Sequence, residues 1–199
     1  MFDDKNNDLV LRSGSYTADQ VRQLLCFGLT GPGLQSSNKA INEGLAYLQG
    51  STYIALWGHT FDGVMINPGD VVVKYTYLGD TTFKGYVNAT DFAQLDASWL
   101  KVQGGKANLG FGWINGDFDY DGQITANDFA ILDAAFLSQT DGTLANDPYL
   151  AGNAAMLGLS VADYSALVAA QLINTVPEPG SMALLGIGLC AVLGQRKRR

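Results

Sequence analysis

Histidine is almost missing from this chain of 199 residues, cysteine occurs only twice, and basic residues are few. The single histidine, His59 in "LWGHTFDG", leaves no second imidazole for a zinc site and makes any Ser/His/Asp or Cys/His arrangement rest on one residue. It reads as a turn residue near a strand end. Cys26 and Cys190 stand far apart, one in a predicted helix and one in a terminal apolar run. No disulfide framework is indicated, and each reads as a small apolar packing residue. The opening "MFDDKNNDLVLRSG" carries acidic residues where an export signal needs basic ones, and it has no apolar stretch behind them. The formal charge is −7, and the four cations Arg196, Lys197, Arg198 and Arg199 close the chain, so everything before them carries −11. Such a body repels nucleic acid and attracts cations.

What is present is enough for an interior. At 47% hydrophobic residues the chain holds one ordinary domain or two small ones. "DLVLRSG" (8–14) reads as a short strand and turn. "YTADQVRQLLCFGL" reads as an amphipathic helix with Thr17 and Gln20 as a capping box and Gly28 as its stop. A loop over 30–40 and a short helix over roughly 40–48 are predicted next. "STYIALWG", a stretch around "GVMI" and "DVVVKYTYLG" read as strands, with "NPGD" (67–70) as a turn. The first 78 residues thus form a small α/β unit in which a catalytic reading would depend on His59, Asp62 or Cys26. No catalytic constellation is visible there, and the chain is expected not to be an enzyme.

From Asp80 onward the sequence repeats. "NATDFAQLDASWL" (88–100) aligns without gaps to "TANDFAILDAAFL" (125–137), with eight identities in thirteen and an offset of 37 residues. Ahead of the second copy stands "DFDYDGQITAND" (117–128), with oxygen donors at the spacing a hard cation requires: Asp117, Asp119, Asp121, the carbonyl of Gln123, Thr125 and Asp128. Gly122 at the sixth position permits a sharp turn, and Ile124 at the eighth is predicted to point inward and pair with the other loop. The first loop, "DTTFKGYVNATD" (80–91), keeps Asp80, Asn88 and Asp91 but has Thr82 and Lys84 at positions three and five. Its side-chain charge is −1 against −4 for the second, so Asp80, Thr82, Asn88 and Asp91 are expected to form a weak or empty calcium site beside a filled one. After each loop a helix follows, with core positions Phe92, Leu95 and Trp99, or Phe129, Leu132 and Phe136.

A calcium loop of EF-hand type followed by an exiting helix, twice over, resembles the dockerin family across roughly 77–140. The resemblance implies Ca2+ as a structural ion and two repeats packed in pseudo-twofold fashion. It also implies a cohesin-like partner engaged through loop positions ten and eleven, here Ala89, Thr90, Ala126 and Asn127. A further helix, "SVADYSALVAAQL" (160–172) with Ser160 as its cap, is predicted to close the core.

The last residues, "VPEPGSMALLGIGLCAVLGQRKRR", place a Pro-Glu-Pro segment before an apolar run (181–194) and a basic end. Fourteen helical residues reach about 21 Å, short of the roughly 30 Å hydrocarbon core. This order resembles the PEP-CTERM sorting signal, which implies recognition of Val176, Pro177, Glu178 and Pro179 by an exosortase, contact with a membrane through 181–194, and export to the cell envelope or extracellular matrix. Because such a signal acts on exported chains, a longer secreted precursor or an earlier start is expected.

The expectation is an α+β protein: a small α/β unit (1–78), an all-α dockerin-like pair (79–140), a closing helical segment (141–175) and a hydrophobic sorting helix (176–199). Its function is non-catalytic calcium binding and placement at the cell surface. The alternative is a true dockerin that tethers a polysaccharide-degrading enzyme to a cohesin scaffold.

Overall fold

The computed structural model describes residues 2–3, 7–29, 31–37, 42–105, 112–140 and 142–173. In chain order its strands are β1 (Phe2–Asp3), β2 (Leu9–Leu11), β3 (Leu34–Gln35), β4 (Glu43–Gln49), β5 (Thr60–Phe61), β6 (Val64–Met65) and β7 (Val71–Tyr77). Its helices are α1 (Ala18–Gly28), α2 (Gly50–Trp57), α3 (Ala89–Gln103), α4 (Ala126–Gln139), α5 (Leu150–Leu157) and α6 (Val161–Ile173). The chain is α+β. The expected sorting helix lies outside the described residues, and within them no single helix is long and apolar enough to cross a membrane.

β7 is the centre of an antiparallel sheet ordered β2-β7-β4, with Val73 opposite both Leu9 and Tyr47. Val71, Val72 and Val73 are fully buried, which a β-branched run achieves only where both faces of the sheet are covered. α1 begins as its sequence indicates: the Gln20 amide donates to Thr17 Oγ1, and the Thr17 amide donates to Gln20 Oε1. Gly28 is its last residue. A Cβ there would lie 2.0 Å from the Leu34 carbonyl oxygen, so the position serves close approach as well as termination.

Two elements are the reverse of the expectation. The helix predicted over 40–48 is strand β4, and the strand predicted over "STYIALWG" is helix α2. Glu, Ala, Leu and Gln favour a helix in isolation, but Leu45 to Leu48 lie buried on both faces beside β7, and pairing along seven residues overrides propensity. In α2 the buried residues are Gly50 and Tyr53, a helical spacing, and Tyr53 packs edge-on against Phe61 at 5.1 Å. Gly50 is held where β4 ends, its amide donating to the Asp70 carbonyl at 2.6 Å. The "GVMI" stretch becomes half of a β5–β6 hairpin, whose turn places Asp62 (φ 48°) and Gly63 (φ 78°) in the left-handed region. "NPGD" turns as expected, with the Asp70 amide donating to the Asn67 carbonyl.

The two repeats meet through exchange-related contacts. Phe92 of α3 packs edge-on against Phe136 of α4 at 5.7 Å, and the equivalent exchange, Trp99 of α3 against Phe129 of α4, stands at 6.0 Å. Gly79 (φ 106°) precedes the first loop and lies against Leu132, where a Cβ would fall 2.4 Å from the side chain. Gly116 (φ 103°) precedes the second and lies against Leu95 in the same way, at 2.3 Å. Each loop thus starts on the helix of the other repeat. The buried core continues from the β4–β7 sheet through Trp113, Phe118 and Tyr120 into α4 and α6 without a break at residue 78.

Candidate metal centre

The two loops share one backbone course. Position four is left-handed in both (Phe83, φ 65°; Tyr120, φ 62°), and so is the glycine at position six (Gly85, φ 88°; Gly122, φ 83°). At position twelve Asp91 and Asp128 are fully buried and complete the capping boxes of α3 and α4, with Asn88 and Thr125 as the N-caps. Their remaining carboxylate oxygens face the loops: the Thr81 amide donates to Asp91 Oδ1 at 3.0 Å, and the Phe118 amide to Asp128 Oδ1 at 2.9 Å.

What fills the loops differs. In the second, Asp117, Asp119 and Asp128 bring carboxylate oxygens within 4.8 Å of one another. Asp117 is wholly buried; among the described residues its Oδ1 accepts a 3.3 Å bond from the Gly122 amide, and its Oδ2 has no hydrogen-bond partner. A buried carboxylate oxygen without a donor is costly unless a cation meets it. Burial, and then the charge of Asp119, push the Asp117 carboxyl up to about 7, while the Gly122 amide and Arg22 pull the other way. Asp128 is raised well above its ordinary value, first by burial and then by Asp119. Asp121 stands at the solvent edge with the Gln123 amide on its Oδ1, and Thr125 Oγ1 accepts from the Asn127 amide. The donor set is all oxygen and strongly anionic, the chemistry of a calcium site, and the residues fit the ion.

In the first loop the same space is satisfied by the protein. Lys84 Nζ lies 3.3 and 3.2 Å from the two oxygens of Asp91. Asp80 accepts from the Lys84 amide on Oδ1, and from Thr76 Oγ1 and the Gly85 amide on Oδ2. Thr82 offers no carboxylate, and its carbonyl accepts from Trp57 Nε1. The Lys84 ammonium is thus paired inside the loop with the carboxylate at position twelve. Replacing Thr82→Asp and Lys84→Asp together is expected to raise the calcium stoichiometry from one to two per chain, read by calorimetry.

The pairing expected between the two position-eight residues is not what Val87 makes. Val87 and Ile124 are both buried, but the Val87 amide donates to Gln139 Oε1 and its carbonyl accepts from Gln139 Nε2. A side chain of α4 therefore occupies the edge a second loop would need.

Three contributors were not evident from the loop pattern. The Tyr120 hydroxyl donates to the Leu45 carbonyl at 2.6 Å, and its ring stacks on Trp113, 5.9 Å away. Arg22 of α1 donates to the Tyr120 carbonyl at 2.5 Å while paired with Asp19. Trp113 Nε1 donates to the carbonyl of Asp80, joining one loop to the other. The left-handed position-four residue is a readable signal in retrospect: an aromatic there, in both loops, is placed to enter a core.

Of the expected partner positions, Ala89 and Thr90 are exposed, whereas Ala126 and Asn127 are half-buried. Val176 to Pro179 lie outside the described residues. His59 and Asp62 are exposed, Cys26 is a free thiol, and Asp62 shares a hydrogen bond with Asp8.

Residues 78–137, which hold both loops, α3 and all but the last two residues of α4, match the family model for the dockerin type I domain. This segment is a dockerin-like module. Residues 175–199 match the PEP-CTERM protein-sorting motif, so the dockerin-like module stands upstream of a sorting tail. No curated protein and no solved structure matches the chain.

Proposed function

We propose that the dockerin-like segment is a non-catalytic, calcium-stabilised module of an exported protein that its tail directs to the cell envelope. The observation that carries this reading is the second loop, where a buried, partly unpartnered carboxylate joins Asp119 and Asp128 inside a dockerin match. Calcium bound there supplies charge neutralisation. Asp117, Asp119, Asp121 and Asp128, with Thr125 and the Gln123 carbonyl, would hold the ion, and Asp128 also caps α4. None of these carboxylates is left over to act as an acid or base. The sorting match supports recognition of the tail by an exosortase, with residues 181–194 reaching the membrane.

Tethering of a polysaccharide-degrading enzyme through a cohesin-like partner is the second reading. It is favoured at the first repeat, because Ala89 and Thr90 are exposed there. At the second repeat, Asn127 is bonded through both atoms of its amide.

Thermal unfolding of the full chain tests the calcium reading. Calcium at a hundredfold excess over Kd is expected to add about 2.7 kcal/mol, or roughly 5–10 °C, and a chelator to remove it. A midpoint indifferent to calcium and chelator would contradict the proposal.

A further inference from the structure

Helix α6 lies beyond both repeats, yet it reaches the metal loop. Gln171 is only 5% exposed, and its Nε2 donates to Asn127 Oδ1 at 2.9 Å. Asn127 in turn donates from Nδ2 to Asp119 Oδ2 at 2.6 Å. The direction of this relay is fixed chemically: an ionised carboxylate only accepts, so the Asn127 amide must turn its NH2 to Asp119 and its oxygen to Gln171. A buried glutamine amide needs such a partner, and here the partner is an outer contact of a metal ligand. α6 is held against α4 at a second point as well, where the Tyr164 hydroxyl donates to Asp133 Oδ2 at 2.5 Å. Asn153 of α5 donates to both oxygens of the same carboxylate, at 3.1 and 3.0 Å.

We infer that Gln171 is a positioning residue of the metal centre, and that calcium loading and the docking of α6 are one linked equilibrium. This rests on the calcium reading of the loop 117–128. The ion fixes Asp119, Asp119 orients Asn127, and Asn127 holds Gln171. The consequence lies at the end of the helix: α6 runs to Ile173, and the sorting motif begins at residue 175. Calcium therefore sets how firmly α6, whose end lies just ahead of the sorting match, is held to the dockerin-like module.

Linkage requires the two effects to be equal: the factor by which freeing α6 weakens calcium is the factor by which calcium suppresses α6 opening. The test is calcium calorimetry on the full chain, with amide hydrogen exchange over 161–173 in calcium and in chelator, for wild type, Gln171→Met and Gln171→Asn. Methionine keeps the length and packing without the amide, and asparagine keeps the amide one methylene short, so a folding defect in one leaves the other readable. In wild type, calcium is expected to slow α6 exchange about tenfold or more, and each variant to weaken calcium by about 10-fold or more while losing that response. Wild-type affinity in both variants, or α6 exchange indifferent to calcium in a wild type that binds it, overturns the inference. No calcium binding by wild type overturns the underlying reading instead.

Discussion

Asp117→Asn is expected to abolish calcium binding while leaving the metal-free chain at least as stable as wild type. The two halves of this result have one cause. Without an ion, Asp117 is a fully buried carboxylate with one oxygen unpartnered, in a cluster with Asp119 and Asp128. An amide of the same shape still accepts the Gly122 N–H bond and removes a buried negative charge. With an ion, the same change takes one of four anionic ligands from the site, and affinity in such loops follows ligand charge. A loss of about 100-fold or more is expected by calorimetry.

The pH dependence has a definite sign. The Asp117 carboxyl is raised in the folded state to about 7, so the folded metal-free chain binds protons more tightly than the unfolded chain. Its contribution is fully present below the ordinary value near 4 and is lost as pH rises through about 7. Wild type in chelator should therefore lose stability from pH 4 to 7, and Asp117→Asn should lose less. An unchanged slope, or calcium affinity equal to wild type, would contradict this account.

Tyr120→Ala is expected to destabilise the chain by about 3–5 kcal/mol, the range for truncating a buried aromatic ring. Tyr120 is the point at which the metal loop enters the N-terminal unit. Its hydroxyl satisfies the Leu45 carbonyl of β4, its ring stacks on Trp113, and its own carbonyl accepts from Arg22. Alanine leaves a cavity among these groups and an unpaired backbone carbonyl. Tyr120→Phe removes only the hydroxyl bond and should cost about 1–3 kcal/mol. Chemical denaturation of the three proteins in chelator separates these contributions. A Tyr120→Ala loss below 1 kcal/mol would mean that the N-terminal unit does not support the loop.

The course of the two loops was legible from spacing: the sixth-position glycines are left-handed and the twelfth-position carboxylates cap α3 and α4, as their places in the repeat indicate. Lys84, a charge of the opposite sign within that spacing, pairs with Asp91. The exiting helices followed from their i, i+3, i+7 stripes. What was not legible depends on contacts distant in sequence. β4 and α2 exchanged identities because pairing with β7 and the burial of Tyr53 outweighed local propensity. Nothing around Gln171 announces a bond to Asn127, 44 residues earlier. Likewise Tyr120 carries no local mark of its bond to Leu45, 75 residues away. Gly79 and Gly116 were within reach, since the 37-residue offset extends to them. Their role, allowing each loop to rest on the other repeat's helix, required the packing.

We propose that one loop holds calcium and the other holds its own lysine. The most direct measurement is a calorimetric calcium titration of the full chain after treatment with chelator. One site per chain is expected, lost in Asp117→Asn and unaffected in Lys84→Met. Two sites in wild type, or no binding at millimolar calcium, would contradict it.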